Sequence, residues 1–389
     1  MLSCAPAVYK RKSPIAAILI GVLAVVAATW VRERAVDRLG PDYDEYAYIP
    51  AGFRYAERMV PGRWAEIPEV TDNPEHPALV KLAYGLVLAK TGAREPEWDR
   101  VPQGQPLQPD ARPAFMATRT LSAVTGVLQV LLEALVSPLG ALWLAFDTYH
   151  AKYTAQAYVE GLPGLFAMLA VLLFERALRQ REPQGLVPSA PQLSTTPLLG
   201  AAFMVGLAAA GKYPYGLVLG LTFLPFLLQH GHQRPWLLAG VGAVVVLAFL
   251  AANPYLWNDT IDRVWNSVAF HFKYTQTEHV KSSELPWWYQ LYYLTRSTPV
   301  RWHPGVFPFG WLDMLLLPAA ALGVPYALRH RPVWLAWAVV GLLFLLVWPT
   351  KWPQYTLLVR PPLTVLAGLG LVALKDRLFG YGLSGPDRL

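Results

Sequence analysis

Cysteine is almost absent from this chain. One residue, Cys4, serves 389 positions, which excludes an intramolecular disulfide and any zinc site built from several thiolates. Charge is scarce too: Asp, Glu, Lys and Arg together make up 15% of the residues, against 54% hydrophobic. Neither a disordered segment nor an ordinary soluble domain carries that balance. The 35 prolines and 29 glycines follow no fixed period, so collagen and solenoid repeats are excluded as well. The formal net charge is +7, but the basic residues are not gathered on a soluble face with aromatics between them, as nucleic-acid binding requires. What the chain has in quantity is apolar sequence, a mean hydropathy of +0.31, and 15 Trp with 19 Tyr, the side chains that settle at a membrane–water boundary.

Lys10-Arg11-Lys12 precedes an unbroken apolar run from Pro14 to Val31. At about 1.5 Å per residue such a run just crosses a hydrocarbon core about 30 Å thick. The run exceeds the core of a signal peptide and no A-x-A cleavage site follows it before Arg32, so it reads as an uncleaved anchor with a cytoplasmic N-terminus. Further apolar windows lie at 114–135, 137–150, 152–178, 197–211, 213–229, 235–252, 306–328, 332–348 and 354–374. The pattern predicts an all-α polytopic membrane protein of about ten transmembrane helices, one domain over 1–389, with 137–150 and 197–211 short enough to be half-spans. Strict alternation puts Arg176, Arg179, Arg181, Arg234, Arg329, Arg331, Lys375 and Arg377 on one side, the cytoplasmic side under the positive-inside rule. Both termini are then cytoplasmic, 182–195 is a Pro/Ser-rich linker, and the long connections 32–113 and 253–305 lie on the outer face of the plasma membrane.

The chemistry is expected in those two loops. Gly40-Pro41-Asp42-Tyr43-Asp44-Glu45 reads as a helix start, with proline in the first turn and carboxylates at the positive end of the dipole. From Tyr43 to Met59 the apolar spacing predicts a helix lying along the membrane surface. Tyr48, one turn after Asp44, shares its face and is placed to orient a ligand phosphate. Asn73-Pro74-Glu75-His76-Pro77 is a rigid polar turn before a second amphipathic stretch, Ala78 to Leu88, with Lys81 on its flank.

The phrase DYDEYAYIPAGFRYAERMVPGRW followed by NPEHPALVKL resembles the first outer loop of the polyprenyl-phosphate-sugar glycosyltransferases with the GT-C fold, in their protein O-mannosyltransferase-like branch. There an Asp-Glu pair opens a surface helix ahead of an N-P-E-H-P-P-L-x-K phrase. Arg119 in ATRTLSAVTGVL, Lys212 in GLAAAGKYPYG and the YTLLVRPPL segment resemble further positions of that branch. Ala78 stands where the family has its second proline, and Glu160-Gly161 where it often has Thr-Thr-Asp.

The resemblance implies a GT-C bundle and an inverting hexosyltransferase. Its donor would be a polyprenyl-phosphate sugar, its acceptor a hydroxyl on a protein, lipid or glycan. A lipid-phosphate sugar is already activated, so the protein must position the acceptor, accept its proton and stabilise the departing phosphate. Asp44 is the expected general base, with Glu45 assisting or holding the surface helix. Lys212, Arg119, Tyr48, His76, Lys81 and Arg360 are the candidates for the donor phosphate, the cations among them being costly in or near a membrane and functional by default. For Lys212 and Arg119 the plainer reading is an interfacial anchor, and for His76 and Lys81 a plain surface role. Asp42-x-Asp44 is the pattern of a Mg²⁺ or Mn²⁺ site in some GT-C relatives, whereas this branch works without metal; no cofactor is expected, and a divalent ion is the alternative. In the second loop the WWYQLYY run reads as an interfacial belt. Two rival classes stand beside the enzyme. One is a non-catalytic membrane subunit that keeps the scaffold and braces a larger complex, motivated by Ala78 and Glu160; the other is a transporter, motivated by Arg360, Glu160 and Lys212.

Overall fold

The computed structural model describes residues 14–98, 107–178, 193–231 and 234–378. Among these the regular structure is entirely helical, as the composition requires. The Lys10–Lys12 flank, Arg179, Arg181 and most of the 182–195 linker fall outside the described residues.

The first apolar run forms α1 (Pro14–Arg38), longer than its apolar part because its last turns carry Arg32 and Arg38. Two helices of the first loop follow, α2 (Glu45–Ala56) and α3 (Leu79–Thr91); α3 ends at Gly92, whose φ of +64° suits the residue after a helix. Then come α4 (Arg112–Ala134), α5 (Pro138–Phe146), α6 (Thr148–Ala155), α7 (Gly161–Leu178), α8 (Thr195–Gly211), α9 (Tyr213–Gly231) and α10 (Pro235–Ala251). The second loop holds α11 (Thr260–Tyr274), α12 (Glu278–Lys281) and α13 (Tyr289–Leu294). The chain closes with α14 (Leu316–His330), α15 (Pro332–Val347) and α16 (Arg360–Leu378).

Four helices, Ile15–Arg38, Arg112–Ala134, Gly161–Leu178 and Gly310–His330, are long and apolar enough to cross a membrane, and Thr195–Gly211, Tyr213–Gln229, Pro235–Ala251 and Pro332–Val347 are shorter apolar helices. This is an integral membrane protein of the expected all-helical class. Two windows need correction. The 137–150 stretch is not one helix: it breaks at Asp147, whose carboxylate accepts the His150 N–H at 2.8 Å and so caps α6. The 152–178 window is likewise divided, because α6 ends at Ala155 and α7 starts only at Gly161. Buried polar side chains at the breaks, which a window average does not register, decide both.

Small residues allow the closest helix approaches, as expected where lipid supplies no hydrophobic drive between helices. Gly323 of α14 and Gly370 of α16 lie so close that a Cβ on Gly370 would stand 2.9 Å from the Gly323 nitrogen. The main core runs through α7, α8, α9, α14, α15 and α16; in it Phe174 and Phe223 stack at 4.0 Å, with Trp334 and Trp337 buried nearby. A second core, rich in tyrosine, joins α2 and α3 to α4, α6 and the 156–160 link. The first-loop helices, expected on the membrane surface, are also part of this core. They pack on each other through Gly52 and Gly85, and each buries a face in protein.

Candidate active site

The site is built where the start of α2, the α6–α7 link, the α8–α9 junction and the segment before α16 meet. Four carboxylates stand there, and their partners sort them. Glu45 is fully buried and accepts four hydrogen bonds: from Arg119 Nε at 2.7 Å and Nη2 at 2.6 Å, from the Ala157 N–H at 2.8 Å and from the Asp42 N–H at 2.9 Å. Asp42 pairs with Lys152. Glu160 pairs with Lys212 through one oxygen, while its buried Oε2 has no hydrogen-bond partner. Asp44 is bonded instead by a neutral group, Gln354 Nε2 at 3.2 Å.

These partners set the electrostatics. Burial pushes the Asp44 carboxyl up from 3.8 to about 7, with Glu160 and Asp42 adding to the rise and Lys212 and Lys152 opposing it. A carboxylate of that affinity exchanges protons near neutral pH, the condition for a general base. For His76 burial is again the largest cause, and with Lys212, His271 and Lys81 it holds the imidazole neutral, well below its usual 6.5. The His76 ring sits between Tyr48, at 5.6 Å, and His271, at 5.9 Å.

The expected phosphate ligands divide. Lys212, at the C-terminal end of α8, stays at the site, buried against Glu160 with Nζ 4.5 Å from the centre of the Tyr355 ring. Arg119 spends its donors elsewhere: besides Glu45 it bonds the carbonyls of Val36, Leu39 and Gly40 at 3.3, 2.7 and 2.9 Å. It clamps the end of α1 to the start of α2. Arg360 is held by Asp147, by Thr356 Oγ1 at 3.1 Å and by the Tyr293 carbonyl at 2.7 Å, with Tyr149 under its guanidinium at 4.5 Å. It fixes α16 across the α5–α6 break. Lys81 donates to the carbonyls of Asp72, Asn73 and His76 at 3.0, 2.5 and 2.9 Å and so ties down the 73–77 turn, in which Asn73 sits at a φ of +53°. Tyr48 is buried beside His76 rather than open to a ligand. Arg360, Glu160 and Lys212, the residues that motivated the transporter alternative, thus have partners within the fold.

Two residues of the site were not singled out from the sequence. Lys152 lies over Tyr153 at 4.2 Å, with Tyr158 and Trp302 at 5.5 and 5.6 Å, and bonds Gln156 Oε1 at 2.8 Å. Its signal was a cation opening an apolar window. Gln354, next to Tyr355, carries no comparable signal, since its role depends on a contact with Asp44 across most of the chain. Among the described residues no three His, Cys, Asp or Glu side chains are grouped to hold a metal ion.

This arrangement of helices recurs in solved structures. Over 95% of this chain, ArnT from Cupriavidus metallidurans bound to undecaprenyl phosphate superposes with a TM-score of 0.56 at 15% identity. The Archaeoglobus fulgidus oligosaccharyltransferase tethered with an acceptor peptide does so at 0.57 and 12%. The fold is GT-C. The chain spans 62% of ArnT and 51% of the oligosaccharyltransferase. Another structure of the archaeal enzyme, AglB in complex with an inhibitory peptide and a dolichol-phosphate, matches at 0.56 and 13%. The GT-C neighbours are glycosyltransferases whose structures include polyprenyl or dolichol phosphates. No protein-family model matches the sequence, and no curated protein matches it either.

Proposed function

We propose that the protein is a membrane glycosyltransferase that moves a sugar from a polyprenyl-phosphate donor to an acceptor hydroxyl, inverting the anomeric centre, with Asp44 as general base. The supporting observation is the sorting of the four carboxylates: Asp42, Glu45 and Glu160 each face a cation, and Asp44 faces an amide. Its proton affinity near neutrality follows from that placement. In the reaction the acceptor oxygen attacks the anomeric carbon as its proton passes to Asp44. The bond from that carbon to the phosphate oxygen breaks on the opposite face, and the lipid phosphate leaves with the electron pair.

Lys212 is the cation assigned to the departing phosphate, a contact worth a few kcal/mol in a water-poor cleft. Arg119, Arg360, Lys81 and Glu45 position the elements that carry these two groups. No metal takes part in this scheme. The cleft belongs to the outer face, with both termini cytoplasmic.

The test uses purified protein, a radiolabelled polyprenyl-phosphate hexose and an acceptor mixture. Asp44→Asn should abolish transfer while lipid-phosphate binding persists, and Lys212→Ala should weaken that binding. Wild-type turnover in the Asp44→Asn variant would end the base assignment. One observation favours the scaffold-subunit reading: Lys212 is already neutralised by Glu160. Absence of donor binding and turnover in the unmodified protein, across several lipid-phosphate sugars, would select that reading.

A further inference from the structure

Helix α11 has three unlike faces. Ser267 and His271 point into the protein. Ser267 Oγ donates to the Glu75 carbonyl at 3.1 Å and accepts from Tyr213 Oη at 2.9 Å, while His271 Nε2 lies 3.2 Å from the same carbonyl. A second face, Asp262, Asn266 and Lys273, is exposed and polar. The third is a stripe of Ile261, Trp265, Val268 and Phe272, spaced four, three and four residues apart and therefore on one line of the helix. These four are 84%, 69%, 38% and 71% exposed. At about 100° per residue the apolar and polar faces lie about a third of a turn apart.

The surroundings identify what covers the stripe. Trp257, ahead of α11, is exposed and donates its indole N–H to the Leu250 carbonyl at 2.8 Å, so it lies on the end of α10. The outward residues of that helix, Val246 and Leu247, are exposed side chains on an almost wholly apolar helix, a surface suited to acyl chains. The stripe follows the exposed apolar end of α10 in the chain, joined to it by Trp257, and the polar face beside it suits the water side of a boundary. An apolar face, a polar face and interfacial tryptophans are what an in-plane helix needs to bury one side about 5–10 Å into the headgroup and acyl boundary.

We infer that α11 is an interfacial helix whose Ile261–Trp265–Val268–Phe272 stripe is seated in the lipid leaflet beside the candidate site. Its inner face holds the 73–77 turn. The same helix thus touches the bilayer on one side and, through Glu75, the turn that carries His76 on another.

The inference does not depend on the proposed reaction, and its test needs no substrate. In a Cys4→Ser background, single cysteines replace Ile261, Trp265, Phe272 or Asn266. Each carries a nitroxide, and the full chain is reconstituted in phosphatidylcholine–phosphatidylglycerol vesicles. Collision with molecular oxygen and with a water-soluble nickel chelate is then measured. The three stripe positions should favour oxygen over nickel, and Asn266 should favour nickel. Nickel access at the stripe equal to that at Asn266 would overturn the inference. So would an immobilised stripe label shielded from both reagents, the signature of a second copy or another protein. Three independent stripe positions keep the result readable if one variant fails to fold.

Discussion

Replacing Asp44 by Asn should make the protein more stable at alkaline pH even as it removes the proposed base. Asp44 is raised from 3.8 to about 7 chiefly by burial. A shift of about three units corresponds to about 4 kcal/mol, at about 1.4 kcal/mol per unit; solvent reaches part of this half-buried side chain, and screening brings the expectation to about 2 kcal/mol. The sign follows from linkage. Between about pH 4 and about pH 7 the folded protein keeps a proton on Asp44 that the unfolded chain has released, so stability falls as pH rises through that window and is flat above it. Asn carries no such proton. Melting midpoints of the wild type and the Asp44→Asn variant, compared in one lipid nanodisc from pH 4 to pH 8, should draw apart across the window, with the variant the higher at pH 8. A gap that does not change with pH, or a wild type more stable at pH 8, would refute the assignment of Asp44 as a desolvated carboxyl.

In a turnover assay the acid limb should fall near pH 7, because Asp44 must be ionised to accept a proton; Glu160→Gln removes a negative neighbour and should move that limb to lower pH. Glu45→Gln should cost about 3–5 kcal/mol by leaving the buried Arg119 without its counter-charge, read as a lowered melting midpoint without a change in the pH profile of the remaining activity. Gly85→Ala should destabilise the first loop by about 1–3 kcal/mol, since its Cβ would stand 2.8 Å from both the Gly52 carbonyl oxygen and the Tyr55 Cβ; limited proteolysis near Gly62 would report the parting of α2 from α3.

The start of α2 was legible because three carboxylates and an apolar helical period coincide from Asp42 to Tyr48, although Pro41, expected in the first turn, lies ahead of the helix. The apolar windows were legible because burial in lipid imposes a composition on whole helices. The break at Asp147 was not, since Asp147 becomes intelligible only once Arg360 is beside it, far along the chain. Arg119 and Arg360 were marked by their presence in apolar sequence, yet whether such a cation serves a ligand or a neighbouring carboxylate is a question of three-dimensional partners. Lys152 and Gln354 illustrate the same limit: each acts through one long-range contact that leaves no periodic trace.

The clamp between Arg119 and Glu45 sets an order of assembly. The carboxylate is made 74 residues before the guanidinium that neutralises it, and α4 must be in the bilayer before the two can meet. Until then each charge is held in water at the boundary, and the loop that bears Asp44 has no fixed seat. Closure of the pair removes both from solvent together, gathering the end of α1, the start of α2 and the Ala157 link in one event. Seating of the first loop therefore waits on α4 and the Ala157 link, a step separate from the insertion of α1. A chain lacking either partner should reach the membrane in normal amount with its first loop still open to a protease.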